Sequence, residues 1–471
     1  MAKPRIVLYN PAAPFFTMPL GPIAIGSALD RSRYDVTIVD GRLEADCIAR
    51  VIAATDGALC LGVSVLTGTP IGDALAVTVA VRAARPSVRI VWGGWHPSLF
   101  PIETLAEAGI DAVVVGQGER TFAEIIDRFA AGEGLRGVAG CVSAGTAGSV
   151  GALNAPRPTT DINDLPEHDY TLVDVERYFA LKGERQLDYV TSQGCRFRCT
   201  FCADPTVYGR GWFGLEPARV ATELDRLWQR HRFTDVGFQD ETFFTHADRV
   251  ASIAEELLRR DLDFSWMATM RADQGARLDE RVLLACRQSG LRRVMIGLES
   301  GSQAMLDWMK KDVKLEQVFV AADKCRRHGV AVLFNLIVGF PGEPAESIAA
   351  TLAVAKKLRA LGPDFQVALF YYRPYPGTPI TDELARAGFA LPRGLREWAA
   401  FEHDASRSPW VDAHKRALIE GFRFYQRIGW AKPTRWRRPI QAVARWRCRR
   451  DLYAFPVERV IAQWMRPSLA S

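Results

Sequence analysis

The 471-residue chain is longer than one ordinary domain, and its hydrophobic content of 48% indicates globular domains with sizeable cores. No apolar run reaches the ~18 residues that a membrane-spanning helix needs, and the first residues lack the apolar core of a signal peptide, so we expect a cytoplasmic protein. The net charge is +6, but eight Lys and Arg residues lie between Trp430 and Arg450 without an acid. Because the rest of the chain is slightly negative, we expect no nucleic-acid partner.

Residues 5 to about 132 alternate short apolar runs with helix-like segments. Five runs are rich in β-branched residues and end at turn residues: Ile6–Tyr9, Tyr34–Asp40, Leu59–Leu66, Val88–Trp92 and Ala112–Val115. This alternation predicts a doubly wound parallel sheet, whose ligands bind beyond the carboxyl ends of the strands. Gly93, Gly94, Gly116 and Gly118 follow the last two runs and suit close approach of the backbone to a bulky ligand.

The composition changes after Ala131. Four glycines lie between Gly132 and Gly140, and residues 143–158 are rich in Gly, Ala, Thr and Pro, which is typical of turns rather than of core elements. We therefore predict a first domain over residues 1–140 and a linker over residues 141–180. One alternative stays open, in which this segment is a loose hairpin still attached to the first domain.

The centre of the chain carries three closely spaced cysteines. Cys195, Cys199 and Cys202 stand at C-x3-C-x2-C spacing with Phe201 just before the last, and the other six of the nine cysteines are scattered. Such a loop can place three thiolates around one inorganic centre in a reducing compartment. A zinc site usually recruits a fourth Cys or His nearby, and residues 203–214 contain neither. Two alternatives therefore remain: a zinc-binding loop, or three buried cysteines that are unrelated to one another.

From Leu187 to about Tyr372 strands and helices alternate again. The six predicted strands are Asp188–Ser192, Asp235–Gln239, Phe264–Thr269, Arg293–Gly297, Ala331–Val338 and Gln366–Tyr371. Six strands alternating with helices predict a parallel barrel or partial barrel over residues 181–380. The cysteine loop follows the first strand, at the carboxyl end where barrel enzymes place their active residues.

Together these motifs resemble the cobalamin-binding radical S-adenosylmethionine (radical SAM) family. The cysteine spacing and Phe201 match the C-x3-C-x-aromatic-C signature at every position, and Pro19–Pro22, Gly93–Pro97 and Gly116–Glu119 resemble the family's cobalamin-binding domain. The resemblance implies a partial (βα)6 barrel with a 4Fe-4S cluster on the three cysteines and S-adenosylmethionine on the open iron. It also implies cobalamin in the first domain and an electron donor such as flavodoxin or ferredoxin.

The resemblance further implies roles for residues at the other strand ends. Asp240 and Glu241 would accept hydrogen bonds from the ammonium group of S-adenosylmethionine. Arg271 would pair with its carboxylate, Glu299 would hold a ribose hydroxyl, and Gly339 would let the backbone approach the adenine. For each residue, a helix cap or an ordinary surface position is the alternative.

One feature of many cobalamin proteins is missing. The D-x-H-x-x-G loop, which supplies a cobalt-ligating histidine, is absent after the first strand, and His96 lies in a different loop. We therefore predict that cobalamin binds without His96 as its lower ligand.

Residues 381–471 are predicted to form a mainly helical segment with a basic tail. Trp alternates with Arg between Trp430 and Arg450, which suits an interfacial surface that touches anionic lipid at the inner membrane face. The alternative is a solvated helical cap whose aromatic residues pack on the barrel.

The resemblance predicts a radical SAM enzyme that methylates an unactivated carbon of a small-molecule or lipid-like substrate. One alternative is a radical cyclase or rearrangement enzyme without net methylation, as in the anaerobic cyclase of bacteriochlorophyll synthesis. Another is a cobalamin or redox sensor, although the intact cysteine triad and the acids at the strand ends argue against it. No residue points to a particular substrate, because the barrel is shared by many chemistries.

Overall fold

The computed structural model describes residues 3–107, 109–144, 150–401, 408–432 and 438–454. The chain divides into two compact units. One comprises Met1–Trp266 with Pro374–His403, and the other comprises Met267–Arg373 with Asp404–Ser471.

The first unit begins with a seven-stranded sheet. Its strands are β1 (Arg5–Asn10), β2 (Asp35–Asp40), β3 (Ala58–Ser64), β4 (Arg89–Gly93), β5 (Ala112–Val114), β6 (Cys141–Ala144) and β7 (Val150–Leu153). The spatial order is β2-β1-β3-β4-β5-β6-β7, and the first five strands run parallel. The predicted doubly wound parallel sheet is therefore confirmed. Its helices are α1 (Leu20–Ser27), α2 (Cys47–Ala54), α3 (Thr69–Ala84), α4 (Trp95–Leu99), α5 (Pro101–Leu105) and α6 (Glu119–Ala130).

Strand β1 explains why helices cover both faces of this sheet. Val7 and Tyr9 belong to one hydrophobic cluster, Ile6 and Leu8 belong to another, and all four are at most 3% exposed. Successive side chains of a strand point to opposite faces, so an uninterrupted apolar run must be buried on both. The carboxyl ends of the strands are thereby left as the accessible edge.

The last two strands lie where composition predicts a linker. β6 pairs antiparallel with β5, and β7 pairs antiparallel with β6. Val138 and Cys141 are buried in the same hydrophobic cluster as Ile6 and Leu8. This segment therefore contributes apolar residues to the core, although Gly and Ala dominate its composition. Residues 141–144 and 150–153 thus form strands rather than linker, as in the hairpin alternative, and the domain limits themselves stay predictions.

The remaining strands comprise the six strands of the barrel sheet and the two strands of a hairpin. They are β8 (Gln186–Tyr189), β9 (Ser192–Gly194), β10 (Trp212–Gly214), β11 (Asp235–Phe238), β12 (Ser265–Met270), β13 (Leu291–Glu299), β14 (Ala331–Val338) and β15 (Phe365–Tyr371). Six of them form one sheet in the order β15-β14-β13-β12-β11-β8, and β9 with β10 forms a separate hairpin. The pairs β8–β11, β13–β14 and β14–β15 are parallel. The predicted partial barrel is confirmed.

Helices accompany these strands. They are α7 (Val175–Lys182), α8 (Asp204–Val207), α9 (Pro217–His231), α10 (Ala247–Arg259), α11 (Ala272–Arg277), α12 (Glu280–Gln288), α13 (Gln303–Trp308), α14 (Leu315–Arg327) and α15 (Ala345–Arg359). Helices α9 and α10 each bury one apolar side, as amphipathic helices on a barrel do.

The last helices are α16 (Pro379–Arg386), α17 (Gly394–Ala399), α18 (Ala413–Gly429) and α19 (Arg438–Arg450). The mainly helical carboxyl-terminal segment is therefore confirmed over its described residues, whereas Trp436 and Trp464 lie outside them. Leu395, Trp398 and Phe401 join the hydrophobic core of the first unit. Among the residues that the structure describes, no helix is long and apolar enough to cross a membrane.

Candidate cofactor sites

The first unit contains a cavity of about 520 Å³ at the carboxyl ends of the parallel strands. All four glycines singled out from the sequence, Gly93, Gly94, Gly116 and Gly118, line it. Gly116 has a φ of +77°, and nothing lies within 4 Å of the Cβ that another residue would add there. Gly94 has a φ of +97°, and a Cβ there would lie 2.8 Å from the backbone nitrogen of Val65. Gly116 thus leaves open space beside its backbone, whereas Gly94 allows the close approach of Val65. An open backbone position in the wall fits a bulky ligand such as cobalamin.

The cavity is also lined by residues that sequence patterns did not single out. Ile162, Leu165, Pro166 and His168 come from the segment predicted as linker. Burial, with a smaller effect of the Arg219 charge, lowers the pKa of His168 to about 4, so the imidazole is neutral near pH 7. Irregular segments carry no periodic signal, so no sequence pattern could have found these residues.

His96 does not line the cavity. It is fully buried, its Nδ1 lies 3.1 Å from the Thr67 hydroxyl, and its ring packs against Phe100 and Trp398. Burial lowers the pKa of His96 to about 4. This placement supports the expectation that His96 is not the lower cobalt ligand.

A buried carboxylate fixes one wall of the cavity. Asp188 on β8 accepts hydrogen bonds from the backbone nitrogen of Met18 at 2.7 Å, from Gln239 Nε2 at 2.9 Å and from Lys182 Nζ at 2.5 Å. Met18 and Gln239 both line the cavity. Because Asp188 is fully buried, leaving any of these donors unpaired would be costly, and the wall is held rigidly.

The cysteine loop begins at a backbone turn that only glycine fits. Gly194 has a φ of +88°, pairs with Trp212 across the β9–β10 hairpin, and a Cβ there would overlap the carbonyl oxygen of Gly211. Cys195 and Cys199 are 9% and 8% exposed, Cys202 is half-buried, and so is Phe201. The hairpin therefore fixes the direction in which the chain enters the loop.

Three cysteines in one short loop form a donor set that suits a 4Fe-4S cluster. Burial and the charge of Asp204 raise the pKa of Cys202, and the nearby Cys199 and Cys195 raise it further. Over the described residues, no three His, Cys, Asp or Glu side chains stand close enough to hold one metal ion. In a cluster each thiolate binds a different iron, so its ligands stand further apart than those of one ion.

Asp240 anchors the strand that leads into the cysteine loop. Its carboxylate accepts hydrogen bonds from the Thr191 backbone nitrogen at 2.7 Å, the Thr191 hydroxyl at 2.6 Å and the Ser192 hydroxyl at 2.5 Å. Arg249 Nη2 donates to the Thr191 carbonyl at 2.6 Å, and burial raises the pKa of Asp240. These contacts are structural, so the predicted bond from Asp240 to S-adenosylmethionine stays a prediction.

Glu241 faces the other way, into the cavity. Its carboxyl group accepts a hydrogen bond from the Gly194 backbone nitrogen at 3.2 Å. Burial and, to a lesser extent, the charge of Asp204 raise its pKa to about 8. Burial thus favours the neutral form of Glu241, which sits directly beside the start of the cysteine loop.

The second unit holds the remaining predicted residues. Arg271 pairs with Asp273 at 2.9 Å and donates from Nη2 to the Lys311 carbonyl at 2.5 Å. Lys311 Nζ lies 2.7 Å from the Glu299 carboxylate, and all these groups are buried. Gly339 has a φ of +80°, and its nitrogen donates to Glu343 at 2.6 Å. Lys311 thus brings Arg271 and Glu299 together, and their ligand roles stay predictions.

Comparison with known proteins gives the family. Family models match the chain as Radical SAM superfamily over residues 189–355 and as B12 binding domain over residues 9–126. An uncharacterized methyltransferase of Pyrococcus horikoshii is 31% identical over 82% of this chain and 82% of its own length. The anaerobic magnesium-protoporphyrin IX monomethyl ester cyclase of Rubrivivax gelatinosus is 29% identical over 64% of this chain and 54% of its own length.

A solved structure shares the fold. OxsB, a cobalamin-dependent S-adenosylmethionine radical enzyme with aqua-cobalamin and S-adenosylmethionine bound, matches with a TM-score of 0.75 and 18% identity over 94% of this chain and 72% of OxsB. Fold and matched models together define the class, a radical SAM protein with a B12-binding domain.

The chain belongs to the family of cobalamin-binding radical SAM enzymes. The cofactors of this family are the three that were predicted: a 4Fe-4S cluster, S-adenosylmethionine and cobalamin. The protein is therefore an enzyme rather than a sensor.

Proposed function

We propose that this enzyme methylates an unactivated carbon of a small-molecule or lipid-like substrate. One observation carries the proposal: residues beside the cysteine loop, Gln193, Tyr208 and Glu241, form part of the wall of the glycine-lined cavity. Cluster loop and cobalamin cavity therefore share a boundary, which suits chemistry that uses both. The bound cofactors supply hydrogen abstraction and a transferable methyl group, while the protein orients and shields them.

The residues at this boundary have tasks of their own. Burial favours the neutral form of Glu241 in the cavity wall, and its carboxyl oxygen accepts a hydrogen bond from the Gly194 nitrogen. Cys195 and Cys199 are buried, which limits access of water to the cluster. We assign Cys195, Cys199 and Cys202 as the cluster ligands.

The test is a product analysis. Anaerobically reconstituted protein, S-adenosylmethionine with a deuterated methyl group and a reductant are incubated with fractionated small-molecule and lipid extracts. We expect one product whose mass increases by one labelled methyl group. The cyclase relative supports a second candidate, a cyclisation or rearrangement, and a product without the label would favour it over methylation.

We propose further that the electron donor, a flavodoxin or ferredoxin, docks over the cysteine loop. Arg196, Arg198 and Arg210 are exposed around this loop, and residues 193–203 include no acid. Such a surface attracts an acidic carrier. Arg196→Glu should raise the KM for the protein donor and leave dithionite-driven turnover unchanged, and equal effects on both would argue against docking here.

The remaining proposal concerns location: a cytoplasmic enzyme that contacts the inner face of the membrane through helix α19. Ile440, Val443 and Trp446 are 53%, 42% and 51% exposed and lie three residues apart, on one face of the helix. The helix also carries five arginines and no acid. Each cation near an anionic bilayer contributes ~1 kcal/mol, reduced by salt.

Sedimentation with vesicles tests this location. Binding to anionic vesicles should fall as salt rises and should be lost when Ile440, Val443 and Trp446 are changed to Ser. The matched control changes Leu284 and Val320, which are 44% and 45% exposed on other helices. Equal binding to neutral vesicles, or binding unaffected by the α19 changes, would show that the surface is only solvated.

A further inference from the structure

Gln117, in the glycine turn after β5, connects the cavity to the barrel. Its Oε1 accepts a hydrogen bond from the Thr160 backbone nitrogen at 2.8 Å, and its Nε2 donates to Gln193 Oε1 at 2.7 Å. The Thr160 donor fixes the orientation of the Gln117 amide, so that its nitrogen faces Gln193. Gln117 and Gln193 both line the cavity.

Tyr208 is a second residue near the cysteine loop that contacts the cavity wall. Burial raises the pKa of Tyr208, and the nearby side chain of Gln193 opposes this rise. The ring of Trp95, which opens helix α4 directly after Gly94, meets the ring of Tyr208 edge to face with centroids 5.6 Å apart. One glycine turn of the cavity wall therefore contacts Gln193 through Gln117, and another contacts Tyr208 through Trp95.

Gln193 and Tyr208 lie on either side of the cysteine loop in the sequence. Gln193 lies two positions before Cys195, and Tyr208 lies six positions after Cys202. Tyr208 is also tied back to the hairpin, because its carbonyl accepts a hydrogen bond from the Gly211 nitrogen at 2.8 Å. Each glycine turn is thus connected by a direct contact to a residue beside the cluster loop.

We infer that Gln193 and Tyr208 are positioning residues that couple the two cofactor sites, so that filling the cobalamin cavity tightens the hold on the iron-sulfur cluster and the reverse. A ligand against the cavity wall restricts Gln117 and Trp95, and these hold Gln193 and Tyr208 in one arrangement. Linkage requires the effect to be reciprocal: the factor by which the cluster tightens cobalamin binding equals the factor by which cobalamin tightens the cluster. The inference concerns binding and holds whichever substrate is methylated.

The first test measures cobalamin affinity. Hydroxocobalamin is titrated anaerobically into full-length protein with and without its cluster, and binding is followed by the quenching of tryptophan fluorescence. We expect wild-type protein to bind about fivefold or more tightly when the cluster is present. In Tyr208→Phe and Gln193→Leu the ratio of the two dissociation constants should fall towards one.

A matched control removes a tyrosine hydroxyl elsewhere in the same unit. Tyr34→Phe deletes a 2.6 Å hydrogen bond to Asp127, away from the cavity, and should keep the wild-type ratio. A wild-type ratio of one, or an unchanged ratio in both Gln193→Leu and Tyr208→Phe, overturns the inference.

The second test approaches from the cobalamin side and does not alter the cysteine loop. An iron chelator is added to cluster-loaded protein, and the loss of the cluster absorbance is timed with and without hydroxocobalamin. Cobalamin should slow the loss several-fold in wild-type protein and have little effect in Gln117→Leu. If cobalamin protects the cluster equally in Gln117→Leu, the connection through Gln117 does not exist.

Discussion

Replacing Asp240 distinguishes a structural anchor from a ligand of S-adenosylmethionine. In Asp240→Ala, the Thr191 backbone nitrogen, the Thr191 hydroxyl and the Ser192 hydroxyl all lose their acceptor, and both residues are fully buried. Hydrogen bonds to a charged group contribute about 1.5–3 kcal/mol each, and rotation of the hydroxyls recovers part of the loss. We expect a local cost of about 3–5 kcal/mol, similar to the removal of one partner of a buried ion pair.

A cost of this size increases opening of the strand before Cys195 by about a hundredfold or more. Hydrogen–deuterium exchange of peptides spanning residues 190–202 and the iron content after reconstitution measure it. Asp240→Ala should exchange fast and hold little iron. Asp240→Asn keeps one acceptor oxygen and should be intermediate, and the helix-cap variant Asp279→Ala should match wild type. If Asp240→Ala keeps full iron content and protection and loses only S-adenosylmethionine binding, the anchoring role is refuted.

Two further predictions concern the cavity and the buried His96. Gly116→Ala should weaken cobalamin binding at least several-fold in a titration, whereas Gly132→Ala, with a φ of +72° and equally open space but outside the cavity, should not; equal weakening would mean that backbone strain alone is responsible. Burial lowers the pKa of His96 to about 4, whereas an unfolded histidine has a pKa of about 6.5. The neutral buried His96 therefore contributes fully to the free energy of unfolding above pH 6.5, and this contribution is lost as the pH falls towards 4. By pH 5 this amounts to about 2 kcal/mol, so the melting temperature of the apo protein should drop less in His96→Leu than in wild type between pH 7 and pH 5. The cob(II)alamin electron paramagnetic resonance spectrum should lack histidine splitting in both proteins, and splitting that disappears in His96→Leu would make His96 the lower ligand.

The buried strands were predictable because each one is a short run of apolar residues. Ile6 to Tyr9 form one apolar run, and in the sheet that run is buried on both faces. Strands β6 and β7 were not predictable in this way, because their apolar residues are few and glycine and alanine dominate the composition around them. Periodicity detects elements that bury many side chains, not short edge strands.

The candidate site was predictable only where its residues are closely spaced along the chain. Cys195, Cys199 and Cys202 are close in sequence, so their common position follows from the loop itself. The roles of Asp240 and Gln193 depend on partners far along the chain, Thr191 and Gln117, which no local pattern reveals. Asp240 and Glu241 are adjacent, yet one anchors a strand and the other faces the cavity, because successive side chains leave the strand end in different directions.

The most direct test of the account is the production of 5'-deoxyadenosine by the reconstituted enzyme. Wild-type protein given S-adenosylmethionine, cobalamin and a reductant should form 5'-deoxyadenosine, and a variant with Cys195, Cys199 and Cys202 all changed to Ala should form none and should lose nearly all its iron and sulfide. A triple variant that retains 4Fe-4S absorbance or still forms 5'-deoxyadenosine would contradict the assignment of these cysteines.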